Sequence, residues 1–146
     1  MNTASLHART ATRRMAIPNS VQTLAERSTP VEIRLDIQKL LAQEQLDLAQ
    51  ALGDAGLSLH PNSEDMVAIC ALLAMARADW TEAEELLVQL QGIQGDAAPA
   101  TTWWLMARCQ RCMGDLDRSI QTLESGLYLY PQSTELQTEL SLAIKP

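Results

Sequence analysis

The sequence predicts an all-α protein built from about three stacked helical hairpins. The first observation is a turn followed by an apolar helix, which occurs three times, at residues 45–49, 79–83 and 115–119. The small residues that end these segments lie 34 and 36 positions apart, which is the repeat length of helical-hairpin arrays. The second observation is that 47% of the 146 residues are hydrophobic although no Phe is present. A core of aliphatic side chains suits helices better than sheets.

The third repeat carries the clearest motif. It places large and small residues at fixed distances along a helix pair: Trp103, Met106, Ala107, Ser119, Leu123 and Pro131. These distances are those of the tetratricopeptide repeat (TPR) motif. The chain therefore resembles TPR proteins over roughly residues 30–146. The resemblance implies a right-handed solenoid of about three hairpins followed by a C-terminal capping helix.

The other two repeats match less completely. In repeat two, Ala71 and Ala83 occupy the positions where paired helices approach each other, but the linker at 94–99 is two residues longer than standard. In repeat one, Asp36 stands where an apolar residue is expected and Gly53 where a large one is expected. These departures leave the register of the opening helix in repeat one open.

The turns and the chain end also follow the repeat pattern. Gly114 supplies a permissive turn residue in repeat three, whereas Ala78 must make the same turn in repeat two without a glycine. Residues 133–144 follow the last motif proline and carry apolar side chains on one face with polar ones elsewhere. We expect this segment to be the polar capping helix that a solenoid end requires.

The charge is unevenly distributed along the chain. Residues 1–29 hold four Arg and one Glu, whereas the remaining 117 residues carry 7 basic and 17 acidic side chains, a net charge of about −10. Because such a body repels phosphate and anionic lipid, we expect neither nucleic-acid binding nor membrane insertion. The composition of residues 1–29 predicts a disordered basic tail, with an organellar transit peptide as the alternative. Residues 30–146 form the predicted TPR-like domain.

The cysteines suggest free thiols in a reducing compartment. Their number, three, is odd, and we find no export signal in the sequence, which favours the cytoplasm. Cys109 and Cys112 form a CxxC pair, but they fall late in a helix, where the helix dipole opposes a thiolate. A zinc site needs four ligands, and His60 belongs to a different repeat turn. We therefore predict packing roles for these residues and no metal.

Catalytic motifs are missing from the sequence. It contains no phosphate-binding glycine loop, nucleophile elbow or HExxH segment. Acidic pairs such as Glu84 and Glu85 are expected on polar helix faces, where carboxylates are usually solvated. We predict that the protein is not an enzyme and needs no cofactor.

The TPR resemblance implies that the first helix of each hairpin lines a concave, partner-binding surface. The matched positions are Arg34, Gln38 and Leu41 in repeat one, Asp65, Ala68, Leu72 and Met75 in repeat two, and Thr101, Trp104, Arg108 and Arg111 in repeat three. Trp103 already fills a core position, so Trp104, about 100° around the helix, faces elsewhere. A Trp flanked by Arg side chains is typical of an interaction hot spot. The alternatives are that the apolar members belong to the core and that Trp104 packs under the linker at 95–99.

The residues of this chain can be compared with those of two families of TPR proteins. The clamp that grips the C-terminal carboxylate of cytosolic heat-shock proteins uses Lys, Asn and Arg, and this chain has other residues at the corresponding places: Arg34, Gln38, Ile69, Thr101 and Leu105. We therefore predict that the clamp is absent. The segments Trp104 to Arg108 and Met113 to Asp117 resemble the third repeat of the YscY-type chaperones of bacterial type III secretion. That resemblance implies a small acidic chaperone that holds a hydrophobic export partner.

Two classes of function follow from the sequence. The first is a chaperone or adaptor that binds an apolar and acidic segment of a protein partner, with Leu72, Met75 and Trp104 as the apolar floor of the site and Arg108 and Arg111 fixing an acidic group. The second is a structural TPR subunit that uses the same surface to self-associate, for example as a homodimer.

Overall fold

The computed structural model describes residues 16–145, and within that range all regular secondary structure is helical. This confirms the predicted all-α fold class. The described residues form a short 3-10 helix at Gly95–Ala97 and eight α-helices. These are α1 Asn19–Arg27, α2 Pro30–Ala42, α3 Leu46–Leu59, α4 Glu64–Ala76, α5 Trp80–Gln94, α6 Ala100–Cys112, α7 Leu116–Leu129 and α8 Thr134–Ile144.

The helices pair as the repeat length predicts. The pairs α2–α3, α4–α5 and α6–α7 form three hairpins, and the second helix of each hairpin contacts the first helix of the next. Helix α8 packs against both α6 and α7 at the end of the array. At the crossing in repeat three, the Ser119 hydroxyl donates a hydrogen bond of 2.8 Å to the Ala107 carbonyl. The predicted three-hairpin solenoid with a C-terminal capping helix is therefore confirmed.

The turns inside the three hairpins share one backbone conformation. Glu44 and Ala78 have φ of 60°, and Gly114, at the equivalent position, has φ of 83°. In each turn the next residue donates a backbone hydrogen bond to a carbonyl five residues earlier, of 2.8 to 2.9 Å. A positive φ costs an L-residue about 1–2 kcal/mol. Repeats one and two therefore make this glycine-favouring turn without a glycine, as predicted for Ala78.

Repeat one keeps its helices in close contact despite its unusual residues. Ile33 and Ile37 are fully buried on α2, while Asp36 lies between them and is half-buried. A Cβ atom at Gly53 would lie 2.6 Å from Cδ1 of Leu73. Because Gly53 has no side chain, α3 approaches α4 and Leu73 fills the space that a large residue holds in the standard motif.

The buried side chains form two clusters that meet at α6. The N-terminal cluster covers α1 to α5 and also includes Met106 and Cys109 from one face of α6. The C-terminal cluster comprises Ala107, Leu123, Leu136 and Ala143, with half-buried aromatic and aliphatic side chains around them. Helix α6 therefore belongs to both clusters.

Polar contacts fix α6 between its neighbours α5 and α7. The Gln110 amide is buried; its nitrogen donates a hydrogen bond of 2.9 Å to the Glu84 carboxylate. Its oxygen accepts one of 2.7 Å from the Thr122 hydroxyl. Arg118 of α7 forms an ion pair with the same Glu84 carboxylate. These contacts satisfy a buried amide and join repeats two and three.

The stretch predicted as a disordered tail contains a helix. Residues 1–15 lie outside the described residues, but residues 19–27 form α1, which packs against α3 and buries Ala25 completely. Half-buried Val21 contacts the same cluster. The Ser, Thr and Arg content of this stretch obscured a short apolar face. Packing of that face against α3 is sufficient to hold the helix in place. For residues 19–27 the expectation of disorder is therefore corrected.

Candidate functional site

A concave cleft lies between α6 and the capping helix α8. Its volume is about 370 Å³. It is lined from α6 by Trp104, Arg108 and Arg111, and from α8 by Thr134, Glu135, Thr138, Glu139 and Leu142. The cleft therefore combines an indole ring and an aliphatic side chain with charged groups of both signs.

Trp104 and Arg108 form the α6 wall of this cleft. They stand one helical turn apart, and the Arg108 guanidinium lies 5.5 Å from the centroid of the Trp104 ring, within the distance of a cation–π contact. Arg108 is exposed and makes no ion pair with any described residue. Trp104 is half-buried against the C-terminal cluster. It lines the cleft facing α8, so the alternative position under the linker is not observed.

Trp103 lies on another face of α6. A Cβ atom at Gly126 would lie 3.0 Å from the Trp103 Cβ, so α6 and α7 approach closely there. The Trp103 Nε1 is buried and has no hydrogen-bond partner within the described part of the chain. The side chain as a whole is half-buried, like that of Trp104, and both rings pack against the same cluster. The expected contrast between a core Trp and a surface Trp is therefore smaller than the motif implies.

Arg111 does not present a free cation to the cleft. Its guanidinium forms an ion pair with the Glu139 carboxylate of α8, and only 3% of the Glu139 side chain is exposed. The hydrogen bond from Arg111 to Glu139 raises the pKa of the guanidinium further above its ordinary value. The charge of Arg111 is thus already paired within the chain, and the role predicted for it in fixing an acidic group of a partner stays a prediction.

The residues predicted in repeats one and two do not line this cleft. Arg34 of α2 forms an ion pair of 2.9 Å with Asp65 of α4. Gln38 is exposed and Leu72 is 41% exposed, whereas the other three predicted residues pack against the N-terminal cluster: Leu41, Ala68 and Met75. Helices α4 and α6 make at most marginal contact. The structure therefore brings together Trp104, Arg108 and Arg111, and separates them from the repeat-one and repeat-two positions.

Sequence reasoning misses the α8 wall of the cleft. The sequence predicts a polar cap for this segment, and the buried face of α8 does hold Leu136 and Ala143. Leu142 lies off that face and is 51% exposed. The available signal in the sequence was that Leu142 stands outside the apolar stripe formed by Leu136 and Leu140.

The two neighbouring cysteines differ in accessibility. Cys109 is buried and Cys112 is exposed. Burial is the main cause that raises the pKa of the Cys109 thiol to about 12, and the nearby Cys112 and Glu84 add to it. Cys109 is therefore a packed thiol and not a reactive thiolate.

Across residues 16–145 we find no group of three or more His, Cys, Asp and Glu side chains arranged to hold a metal ion, and no helix with the length and apolarity to cross a bilayer.

Comparison with known proteins identifies the fold through solved structures. No protein-family model and no curated protein matches the sequence. The first TPR of Spaghetti (RPAP3), bound to an HSP90 peptide, superposes with a TM-score of 0.69 at 15% identity over 78% of this chain and 89% of that one. The second TPR domain of human RPAP3, in complex with an HSP70 peptide, gives 0.68 at 18% identity over 81% and 100%. The TPR domain of Sgt2 from Aspergillus fumigatus gives 0.67 at 16% identity over 78% and 76%.

The chain has the TPR fold. At these identities the likeness concerns the fold, so the site must be judged from its own residues. At the positions where the TPR resemblance places the carboxylate clamp, Ile69 is 2% exposed and Leu105 is half-buried against the N-terminal cluster. Neither side chain can form a hydrogen bond to a carboxylate. The peptide-bound TPR domains therefore share this chain's scaffold but provide no residue assignment for its cleft.

Proposed function

We propose that this TPR protein is an interaction module, a chaperone or adaptor that binds a segment of a protein partner in the α6–α8 cleft. The observation that carries the proposal is the Trp104–Arg108 pair, in which an indole ring and a cation without an ion-pair partner among residues 16–145 face the same concave space. Truncating a buried interfacial Trp typically costs about 2–4 kcal/mol, so one such anchor can dominate an interface. Two solved TPR domains of similar fold bind short acidic peptides, which supports this class of function.

The preferred partner carries both apolar and acidic groups. Trp104 and Leu142 offer apolar surface, while Arg108 offers a positive charge that no described carboxylate neutralises. The resemblance of repeat three to YscY-type chaperones adds a biological setting. In that setting the protein acts in the cytoplasm of a bacterium that has a type III secretion system, and it keeps an export partner soluble.

A structural role by self-association is the second candidate. The observation that favours it is a set of exposed apolar side chains near the C-terminal end of the solenoid. Tyr128 is 87% exposed, Leu129 52% and Ile144 61%. Where such side chains form one contiguous patch, they often mark an interface between subunits.

A peptide-display selection tests the binding role and finds the peptide sequences that the cleft prefers. The full chain is immobilised, enriched peptides are labelled with fluorescein, and their Kd is measured by fluorescence anisotropy. We expect Trp104→Ala to weaken binding by about 30-fold or more. Tyr128→Ala is the control, because it removes an aromatic ring that is more exposed and lies outside the cleft. It should leave the Kd unchanged.

Two results would count against the binding role. These are a failure to enrich any peptide and equal affinity for the two variants, with a thermal melt showing that Trp104→Ala is folded. Light scattering during gel filtration measures the oligomeric state, and this distinguishes self-association from peptide binding by a monomer. A monomer that binds peptide supports the chaperone or adaptor, whereas a dimer that Tyr128→Ala dissociates supports the scaffold.

A further inference from the structure

The capping helix α8 presents a second, exposed row of side chains to the cleft. Thr134, Thr138 and Leu142 are spaced four residues apart, so they lie along one side of the helix, and all three line the cleft opposite Trp104. The buried face of α8 is distinct, since it carries Leu136 and other residues that pack into the C-terminal cluster. A helix that only closed a solenoid would need a polar outer face. An apolar side chain at position 142 is not explained by that need.

The position of this row relative to α6 is fixed. The ion pair between Arg111 and the nearly buried Glu139 joins the two helices beside the cleft, and Leu136 is fully buried beneath α8. Because one charge of this pair is almost inaccessible to water, losing its partner is costly. Breaking the pair would therefore disturb both walls of the cleft, and Arg108 is left as the cation available to a partner.

The size and chemistry of the cleft limit its occupant. A cavity of about 150 Å³ holds one benzene molecule, so the 370 Å³ here accommodates about two ring-sized side chains. Trp104 and Leu142 would contact the apolar groups and Thr138 offers a hydroxyl. Arg108 complements a negative charge, because it forms no ion pair with Glu135 of the same cleft or with any other described carboxylate. This combination fits a peptide segment with two neighbouring large apolar residues and one carboxylate.

We propose that α8 is one wall of the binding site and that Leu142, with Thr138, selects a protein segment bearing two large apolar side chains and a carboxylate that pairs with Arg108. This inference rests on the proposed function and adds a second wall and a partner chemistry to it. It also assigns the positive role to Arg108 alone, since Glu139 neutralises Arg111.

A pair of leucine and isoleucine variants on the same helix tests the wall. Leu142 and Ile144 are 51% and 61% exposed, but only Leu142 lines the cleft. With a fluorescein-labelled peptide from the display selection, we expect Leu142→Ala to weaken binding about 10-fold and Ile144→Ala to change it less than about 2-fold. Both variants should melt at nearly the wild-type temperature, because neither side chain is buried.

A double-mutant cycle tests the charge. Arg108→Gln is measured against the same peptide and against a version in which its Asp or Glu is replaced by the amide. If Arg108 pairs with the carboxylate, each single change weakens binding and the second change adds little. Additive effects, or enriched peptides without an acidic residue, would overturn this part of the inference.

The outcomes separate the inference from the proposed function. Weakened binding by Trp104→Ala together with equal effects of Leu142→Ala and Ile144→Ala would leave the binding role standing and refute the α8 wall. No effect of Trp104→Ala, or no enriched peptide, would refute both.

Discussion

Replacing Gly53 with alanine tests how closely α3 approaches α4 in repeat one. The added Cβ would lie 2.6 Å from Leu73 Cδ1 and 3.5 Å from Cys70 Sγ. Leu73 is only 4% exposed, so it has little space into which to move. Overpacking of this kind typically costs about 1–3 kcal/mol. Alanine also gains about 0.5–1 kcal/mol over glycine inside a helix, so we expect a net loss of about 1 kcal/mol.

Gly92→Ala is the matched control for this prediction. Gly92 also lies in a helix, but an added Cβ would meet nothing within 4 Å. We expect this variant to gain about 0.5 kcal/mol, because it stands in the last turn and receives only part of the helix-propensity benefit. The difference between the two variants isolates the overpacking cost.

Thermal unfolding followed by far-UV circular dichroism measures both variants. One kcal/mol corresponds to about 3–5 °C for a domain of this size, so the midpoint should fall by about 4 °C in Gly53→Ala and rise by about 2 °C in Gly92→Ala. If Gly53→Ala proves as stable as Gly92→Ala, the inference that α3 and α4 approach too closely for a Cβ atom at position 53 is wrong. Urea unfolding provides a second estimate of each free energy.

Four further predictions follow from the turns, the ion pair and the thiols. Ala78→Gly should stabilise the protein by about 0.5–1 kcal/mol in urea unfolding, because its φ of 60° strains a residue with a Cβ; a loss would contradict the turn geometry. Arg111→Ala should cost about 3 kcal/mol by leaving the Glu139 carboxylate buried and unpaired, and adding Glu139→Gln should restore much of it. At pH 8, iodoacetamide should modify Cys112 but not Cys109 until the protein unfolds, as mass spectrometry can show. Because burial raises the Cys109 pKa from 9.0 to about 12, the native state keeps a proton that the unfolded chain releases, and this group's contribution to stability should fall as pH rises from 9 to 12.

The fold was predictable because the repeat constrains several positions at once. The spacing of Ala49, Ala83 and Ser119 specifies where helices cross, and all three are fully buried. Helix α1 was not predictable in the same way, because it lies outside the repeat and its short apolar face gains stability only against α3. Local composition does not contain that tertiary contact.

The candidate site was only partly predictable. The position of Trp104 beside Arg108 follows from helical periodicity within α6, and the structure places both in the cleft. The pairing of Arg111 with Glu139 joins helices that are separated in sequence, and no periodicity within one helix reveals it. For the same reason Leu142 could not be connected to Trp104 until the approach of α8 to α6 was known.

The membership of α6 in two core clusters has a consequence for cooperativity. Stacked repeats unfold approximately as coupled neighbours, with the weakest interface setting the boundary between units. Helices α7 and α8 are buried through the C-terminal cluster, so that segment can open while α2 to α5 remain folded. A ligand seated between α6 and α8 would bind only the closed form and would therefore stabilise this segment by mass action. Occupancy of the cleft would then be reported by slower amide exchange in α7 and α8, while the N-terminal repeats continued to exchange at their own rate.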